Sequence, residues 1–285
     1  MFNSRISLII GIISISIFPV LVKWAPVSGI TSAFYRMFIG FLCLLPFVIM
    51  NGKFQVPAKN LWPSILLCGI LFGTDIAVWN LSILYSNATQ ATLLTNLAPI
   101  WVGIGSFLFL ADKPAKRFWL GAFVALAGMV VLLGFDTFAK MKFDKGFVLA
   151  LISGMLYATY MITSKTILNK IKIVDFIFCS MAVSSVYLLL VCVVMKEPLW
   201  GFSPSIWGVL AVQGVVCQLL GWLTISYAVQ KLDAQRVSLS LLSQAAVTGL
   251  LAWAFIGEAI SVSMILGGMI ILSGIAITFA KPSRA

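Results

Sequence analysis

Ten apolar stretches, each ended by a polar, proline or charged interruption, constrain this chain more than any local motif does. They cover residues 6–25, 28–50, 61–84, 88–110, 117–135, 146–167, 174–195, 205–229, 236–256 and 262–280. A helix needs ~20 apolar residues to cross a hydrocarbon layer of ~30 Å, and in lipid its backbone polar groups must be satisfied internally. Of the 285 residues, 61% are hydrophobic and 9% charged, against roughly 45–50% and about 25% in soluble domains. Only lipid can cover that much apolar side chain. The expected fold is an all-α membrane protein with ten transmembrane helices.

The ten spans are a duplication. Slid against itself by 146 residues, the chain places Asp112 on Glu258, Gly121 on Gly267 and Gly128 on Gly274. Further upstream Asp75-x-x-x-Trp79 meets Gln218-x-x-x-Trp222 at an offset of 143, and Lys23 meets Lys165 at 142. Five spans per copy is an odd number, so the second copy must enter the membrane from the opposite side. Two inverted five-helix repeats follow, residues 1–135 and 146–281, joined by a linker over 136–145. Inverted repeats commonly build carriers with a solute site near the bilayer midplane between the halves. A polar, hydrated gap is therefore expected there. The glycine pairs, seven residues apart, suit close approach between helices.

Charge orients the bundle. The net charge is +11 and histidine is absent. With the N-terminus inside, Arg5, Lys53, Lys59, Lys113, Lys116, Arg117, Lys165, Lys170, Lys172, Lys231, Arg236, Lys281 and Arg284 fall on the cytoplasmic side. Lys23, Lys140, Lys142, Lys145 and Lys196 fall outside. That bias places both termini in the cytoplasm. Trp24, Tyr85, Trp200, Trp207 and Trp253 then mark the outer interface, with Trp62, Trp119 and Tyr227 at the inner one. The run after Arg5 continues to Trp24 without a small-residue cleavage site and is read as the first span rather than a signal peptide.

The basic residues lie between spans rather than in one patch, so nucleic acid is not an expected partner. Without histidine there is no His-based acid–base chemistry, triad or His metal site. Cys43, Cys68, Cys179, Cys192 and Cys217 all sit in apolar spans without C-x-x-C spacing and are read as packing residues. No metal and no cofactor is expected.

The pattern resembles the EamA-like branch of the drug/metabolite transporter superfamily across almost the whole chain. The resemblance rests on the two five-span halves, on Ala33-Phe34-Tyr35-Arg36, on Asn96-Leu97-Ala98-Pro99 and on Phe255-Ile256-Gly257-Glu258. The first half departs from that last motif with Leu110-Ala111-Asp112-Lys113. Asp75 to Asn80 and Asn87 to Leu94 resemble a large subgroup of such carriers. The resemblance implies a small-molecule carrier working by alternating access, commonly an exporter of amino acids or other metabolites. A bacterial cytoplasmic (inner) membrane is the expected location.

Ionisable groups inside spans carry the most weight, because each costs ~2.5–3.5 kcal/mol to insert at a helix centre. Arg36 lies eight residues below the outer end of span two and Asp75 nine below that of span three, or ~12 and ~13 Å deep at the helical rise. Equal depth on consecutive antiparallel helices permits an Arg36–Asp75 ion pair, which either fixes packing or borders the solute cavity. Proton coupling through Asp75 is a further role, weakened if the pair holds.

Trp79 sits one turn above Asp75, with Asn80 beside it. Gln218 and Trp222 repeat the arrangement with a neutral amide. In span four Pro99 frees the carbonyl of Thr95 next to Asn96 and Thr92. Span nine holds Ser243 and Gln244 without a proline, and span six adds Tyr157 and Tyr160 on one side. Lys23 and Lys165, near span ends, can snorkel to the interface.

The expected substrate-binding set is thus Arg36, Asp75, Trp79, Asn80, Asn96, Tyr157, Tyr160, Gln218, Trp222 and Gln244, with Pro99 as the helix break. The expected function is secondary transport of a small polar organic solute, an amino acid or related metabolite, with export as the favoured direction. Efflux of lipophilic cations drawn by Asp75 is the second reading, and a non-transporting scaffold or receptor the third. An enzyme on lipid-linked substrates lacks a base or metal set.

Overall fold

A computed structural model describes residues 3–24, 27–50, 54–85, 91, 94–111, 113–134, 143–257 and 259–280. Asp112, Glu258, Thr92, the side chain of Lys23 and most of the linker lie outside the described residues. Among the described residues all regular structure is helical. Among the described residues nine helical segments are long and apolar enough to cross a membrane, and a shorter one, Ala98–Phe109, occupies the place of span four.

Span one runs as Ser4–Ser16 and Phe18–Trp24, span two as Gly29–Met50 and span three as Trp62–Tyr85. Span five is Lys116–Leu133, span six Lys145–Leu168, span seven Ile173–Val194 and span ten Val262–Phe279. Span eight is α-helical over Pro204–Val212 and Gly221–Lys231, with a π-helical stretch Gln213–Leu220 between them. Span nine divides into Ala234–Ser240 and Ser243–Ile256. Local sequence sets many of these ends. Asp144, Ser203 and Ser261 accept hydrogen bonds from the backbone N–H three residues on, the usual way of satisfying first-turn donors. Gly257 ends span nine at φ 73°, a left-handed cap that suits glycine.

The helices pack across the repeat boundary rather than within each repeat. Span five lies on ten, two on seven, three on six and seven, eight on one and two, four on six and nine, and nine on one. Replacing each span by its counterpart five places along maps this set onto itself, as a pseudo-twofold axis requires. Near that axis spans five and ten cross on glycine. A Cβ on Gly121 would stand 2.4 Å from the Gly274 carbonyl oxygen, and one on Gly267 2.4 Å from the Leu132 nitrogen. Lipid gives helices no hydrophobic drive to associate, so such close backbone contact is a main source of attraction.

Arg5 stacks on Phe279 with its guanidinium carbon 5.5 Å from the ring centroid, so the described chain begins and ends on one face. Large apolar side chains such as Phe109, Phe123 and Val194 are more than 70% exposed and face the surrounding lipid layer. Lys165 does not snorkel. Its ammonium donates to the carbonyls of Val229 (2.8 Å), Gln230 (3.2 Å) and Leu232 (2.8 Å), closing the carboxyl end of span eight, where a cation complements the helix dipole.

Candidate functional site

Where spans two, three, four, six and eight converge, the chain buries its polar and aromatic residues together. Span three contributes Phe72 and Asp75, both buried. Ser153 of span six donates its hydroxyl to Asp75 Oδ1 at 2.6 Å. One and two turns further along span six, Tyr157 and Tyr160 meet Trp222 of span eight at centroid distances of 6.3 and 5.7 Å. Phe72 stacks on Tyr160 at 4.7 Å and meets Trp222 edge-on at 4.6 Å. An aromatic cage thus stands one turn from a buried carboxyl.

Arg36 is not paired with Asp75. Its Nε donates to Gln218 Oε1 at 2.7 Å, and its guanidinium carbon lies 4.6 Å over the ring of Phe18. The ion pair expected from equal depth is therefore absent, and the salt bridge among the described residues is the surface pair Arg236–Asp233. Depth along two helices sets height but not the direction each side chain takes around its axis.

The π-helical stretch explains which glutamine Arg36 finds. Span two presents Ser32 and Arg36, four residues apart, on one face of an α-helix. Ser32 bonds Gln213 at 2.9 Å and Arg36 bonds Gln218. Those glutamines are five residues apart, the repeat of a π turn, and such turns are frequent at functional sites. Gly40 and Gly214 let the two helices meet, a Cβ on Gly40 falling 3.1 Å from the Gly214 carbonyl. Gln213 was missed from sequence, since nothing in the apolar pattern announces a change of helical repeat.

Span four is broken where proline predicts. Asn96 and Leu97 form a turn ahead of Ala98–Phe109, and Pro99 offers no N–H to the Thr95 carbonyl. That carbonyl lies against Gly154 of span six, where a Cβ would stand 3.4 Å away, with Trp101 beside it. Span nine breaks at the matching place, Leu241–Leu242, without proline. There the backbone bonds tighten to three-residue steps, Leu242 N–H to Leu239 and Gln244 N–H to Leu241, each 3.1 Å. Ser240 and Ser243 turn their hydroxyls back on the carbonyls of Arg236 and Ser240, a bond that bends helices.

Four buried polar atoms in or beside this cluster find no hydrogen-bond partner: Thr95 Oγ1, Trp101 Nε1, Tyr157 Oη and Trp222 Nε1. Buried polar groups in folded chains are rarely left so. Each is a donor or acceptor able to bond a polar ligand. The gap expected from sequence is nevertheless closed, since Asp75 is 7% exposed, Gln218 1% and Trp222 5%.

Of the expected residues, Arg36, Asp75, Tyr157, Tyr160, Gln218 and Trp222 come together here. Asn80 does not; it donates to the Gly29 carbonyl at 2.9 Å and ties span three to the start of span two. Trp79 is half-buried and takes no part in the cage, unlike its counterpart Trp222. Asn96 and Gln244 are half-buried at the two helix breaks. Tyr35, next to Arg36, points elsewhere and donates to the Leu199 carbonyl.

A helical membrane bundle of two interlocked repeats with a polar centre is the architecture of a solute transporter. Residues 4–134 and 144–280 each match the EamA-like transporter family, and the chain belongs to that family. It is 24% identical over 253 residues to a Bacillus subtilis (strain 168) protein named "Uncharacterized transporter YdfC", covering 88% of this chain and 82% of the other. A Rickettsia bellii (strain RML369-C) protein named "S-adenosylmethionine uptake transporter" is 28% identical over 157 residues, 54% of this chain and 52% of its own. A crystal structure with 16% identity superposes at a TM-score of 0.81 over 96% of this chain and 95% of that one, which shows the shared fold. The protein is a multi-pass membrane transporter, not an enzyme.

Proposed function

We propose that this transporter carries a small zwitterionic organic solute, an amino acid or related metabolite, by alternating access of the polar centre to the two membrane faces. One observation carries the reading. Arg36 and Asp75 are both buried in the junction between the repeats, and each is bonded to a neutral group rather than to the other. Buried charges held by neutral partners are costly. A ligand with a carboxylate and an ammonium offers each of them an opposite charge. Thr95, Trp101, Tyr157 and Trp222 supply further bonds, and the aromatic cage accepts an apolar side chain. The closed centre is one stage of the cycle; turns at 96–97 and 241–242 give spans four and nine room to bend.

S-adenosylmethionine, for which the Rickettsia bellii relative is named, itself carries an α-amino acid group. That relative is named for uptake, whereas the family resemblance favours export here. The charge bias supports both termini inside, and a bacterial cytoplasmic membrane is the location proposed with it. Proton coupling through Asp75 belongs to the same proposal. The cage beside Asp75 favours lipophilic cations as a second solute class, since aromatic faces attract cations.

The test is counterflow in proteoliposomes holding the purified chain. Saturable exchange of a zwitterionic amino acid, reduced roughly tenfold or more in Arg36→Gln and Asp75→Asn, is the expected result. Exchange of a permanent organic cation that needs Asp75 but not Arg36 would replace this reading with the second. Proton-gradient dependence that survives in Asp75→Asn would remove the coupling role.

A further inference from the structure

Far from the polar centre, on the face where the described chain begins and ends, a cleft of ≈ 280 Å³ opens between the starts of spans five and nine and the end of span ten. Lys113, Lys116, Arg117 and Arg236 line it, against one carboxyl among the described residues, that of Asp233. Arg117 donates to the Ala280 carbonyl at 3.2 Å, and Arg236 pairs with Asp233 at 2.9 Å and covers Phe279. These ties hold the guanidinium groups in place at the rim.

We propose that this cleft binds a phosphoryl anion, the headgroup of an anionic phospholipid or a soluble phosphate. Three observations beyond the basic charge support it. Gln235 lines the cleft at 3% exposure, and its Oε1 has no donor. A ligand that brings a hydroxyl beside its phosphoryl group, as phosphoglycerol does, satisfies that oxygen. The helix Lys116–Leu133 starts at the cleft, and its N-cap Ala115 offers no side chain to the first-turn N–H groups. Such an end attracts anions.

The third observation comes from the pseudo-twofold. At an offset of 146, Lys113, Lys116, Arg117 and Arg236 correspond to Ala259, Val262, Ser263 and Gln90. The sequence of the other repeat thus carries none of these cations at the matching positions. The repeat common to both halves therefore does not dictate them. Basic pockets between transmembrane helices are known headgroup sites.

The experiment follows thermal unfolding of the full chain in neutral detergent, titrated with dioleoylphosphatidylglycerol, dioleoylphosphatidylcholine or inorganic phosphate. Saturable stabilisation by phosphatidylglycerol but not phosphatidylcholine is expected. Lys116 is exposed, so Lys116→Gln folds, and it should weaken the apparent affinity about fivefold, the factor for roughly 1 kcal/mol per cation. Lys170→Gln, which removes the same charge from the same face outside the cleft, should leave it unchanged. If inorganic phosphate gives the same Lys116-sensitive shift, the site takes a soluble anion. No saturable shift with either ligand, or equal weakening in Lys170→Gln, overturns the proposal.

Discussion

The repeats meet in two kinds of place, and the two behave differently. Where spans five and ten cross, a Cβ on Gly121 would strike Gly274 and one on Gly128 would fall 2.9 Å from the Gly267 carbonyl oxygen. Each contact is the image of the other. Around spans three and eight the matched positions hold Asp75 and Gln218, and their partners diverge. Asp75 takes Ser153 from span six, whereas Gln218 takes Arg36 from span two. Trp222 joins an aromatic cage that Trp79 does not enter. A steric demand is the same seen from either repeat, so both copies answer it alike. Charge recognition needs an acid at one point and a base at another, and two equal copies cannot supply that.

The largest effect should come from breaking the symmetric region. A Cβ on Gly274 would lie 2.5 Å from both the Ala125 nitrogen and the Gly121 oxygen, backbone atoms that cannot swing aside. Gly274→Val should cost about 3 kcal/mol or more, read as a fall in unfolding temperature and in folded yield. Gly208→Ala, with nothing within 4 Å, is the control and should match the parent. Equal stability of the two variants would show that the crossing is loose.

In the asymmetric region, Asp75→Asn keeps an acceptor for Ser153, so stability should change by no more than about 1 kcal/mol. Counterflow should fall roughly tenfold or more, as expected when a charged bond worth ~1.5–3 kcal/mol is lost. Moving the charge sharpens the comparison. Asp75→Asn combined with Gln218→Glu turns the Arg36 contact into an ion pair, which should raise the unfolding temperature without restoring transport. Recovered transport would mean that net charge matters and its side does not. The smallest effect belongs to Ser32→Ala. It loses one bond to Gln213, about 1 kcal/mol, and should lower the unfolding temperature while leaving solute affinity near that of the parent.

Much of the architecture was legible because lipid demands long apolar runs, and their interruptions are conspicuous in the sequence. The offset of 146 found the glycines, whose spacing has one steric meaning on a helix. Pro99 announced a break in span four for a local covalent reason. The break at Leu241–Leu242 carries no such mark; it is made by serine hydroxyls that compete for carbonyls in the preceding turn. The partner of Arg36 was misread because helix depth says nothing about azimuth, and because Gln218 is brought into line by a π turn that leaves no trace in hydropathy. Asn80 looked like a cavity residue by adjacency to Trp79, yet one step along a helix rotates a side chain by ~100°, and it reaches Gly29 instead.

The mismatch between Asp75 and Gln218 also bears on rest and motion. A carrier made of two identical inverted halves would be degenerate, because turning it over exchanges its inward-facing and outward-facing forms, which must then have the same free energy. With a carboxyl in one half and an amide in the other, that degeneracy is lifted. Under the proposed alternating access, the empty protein has a preferred orientation of its opening before any solute or gradient acts, and the sign of that preference is written in which of the two side chains meets water first.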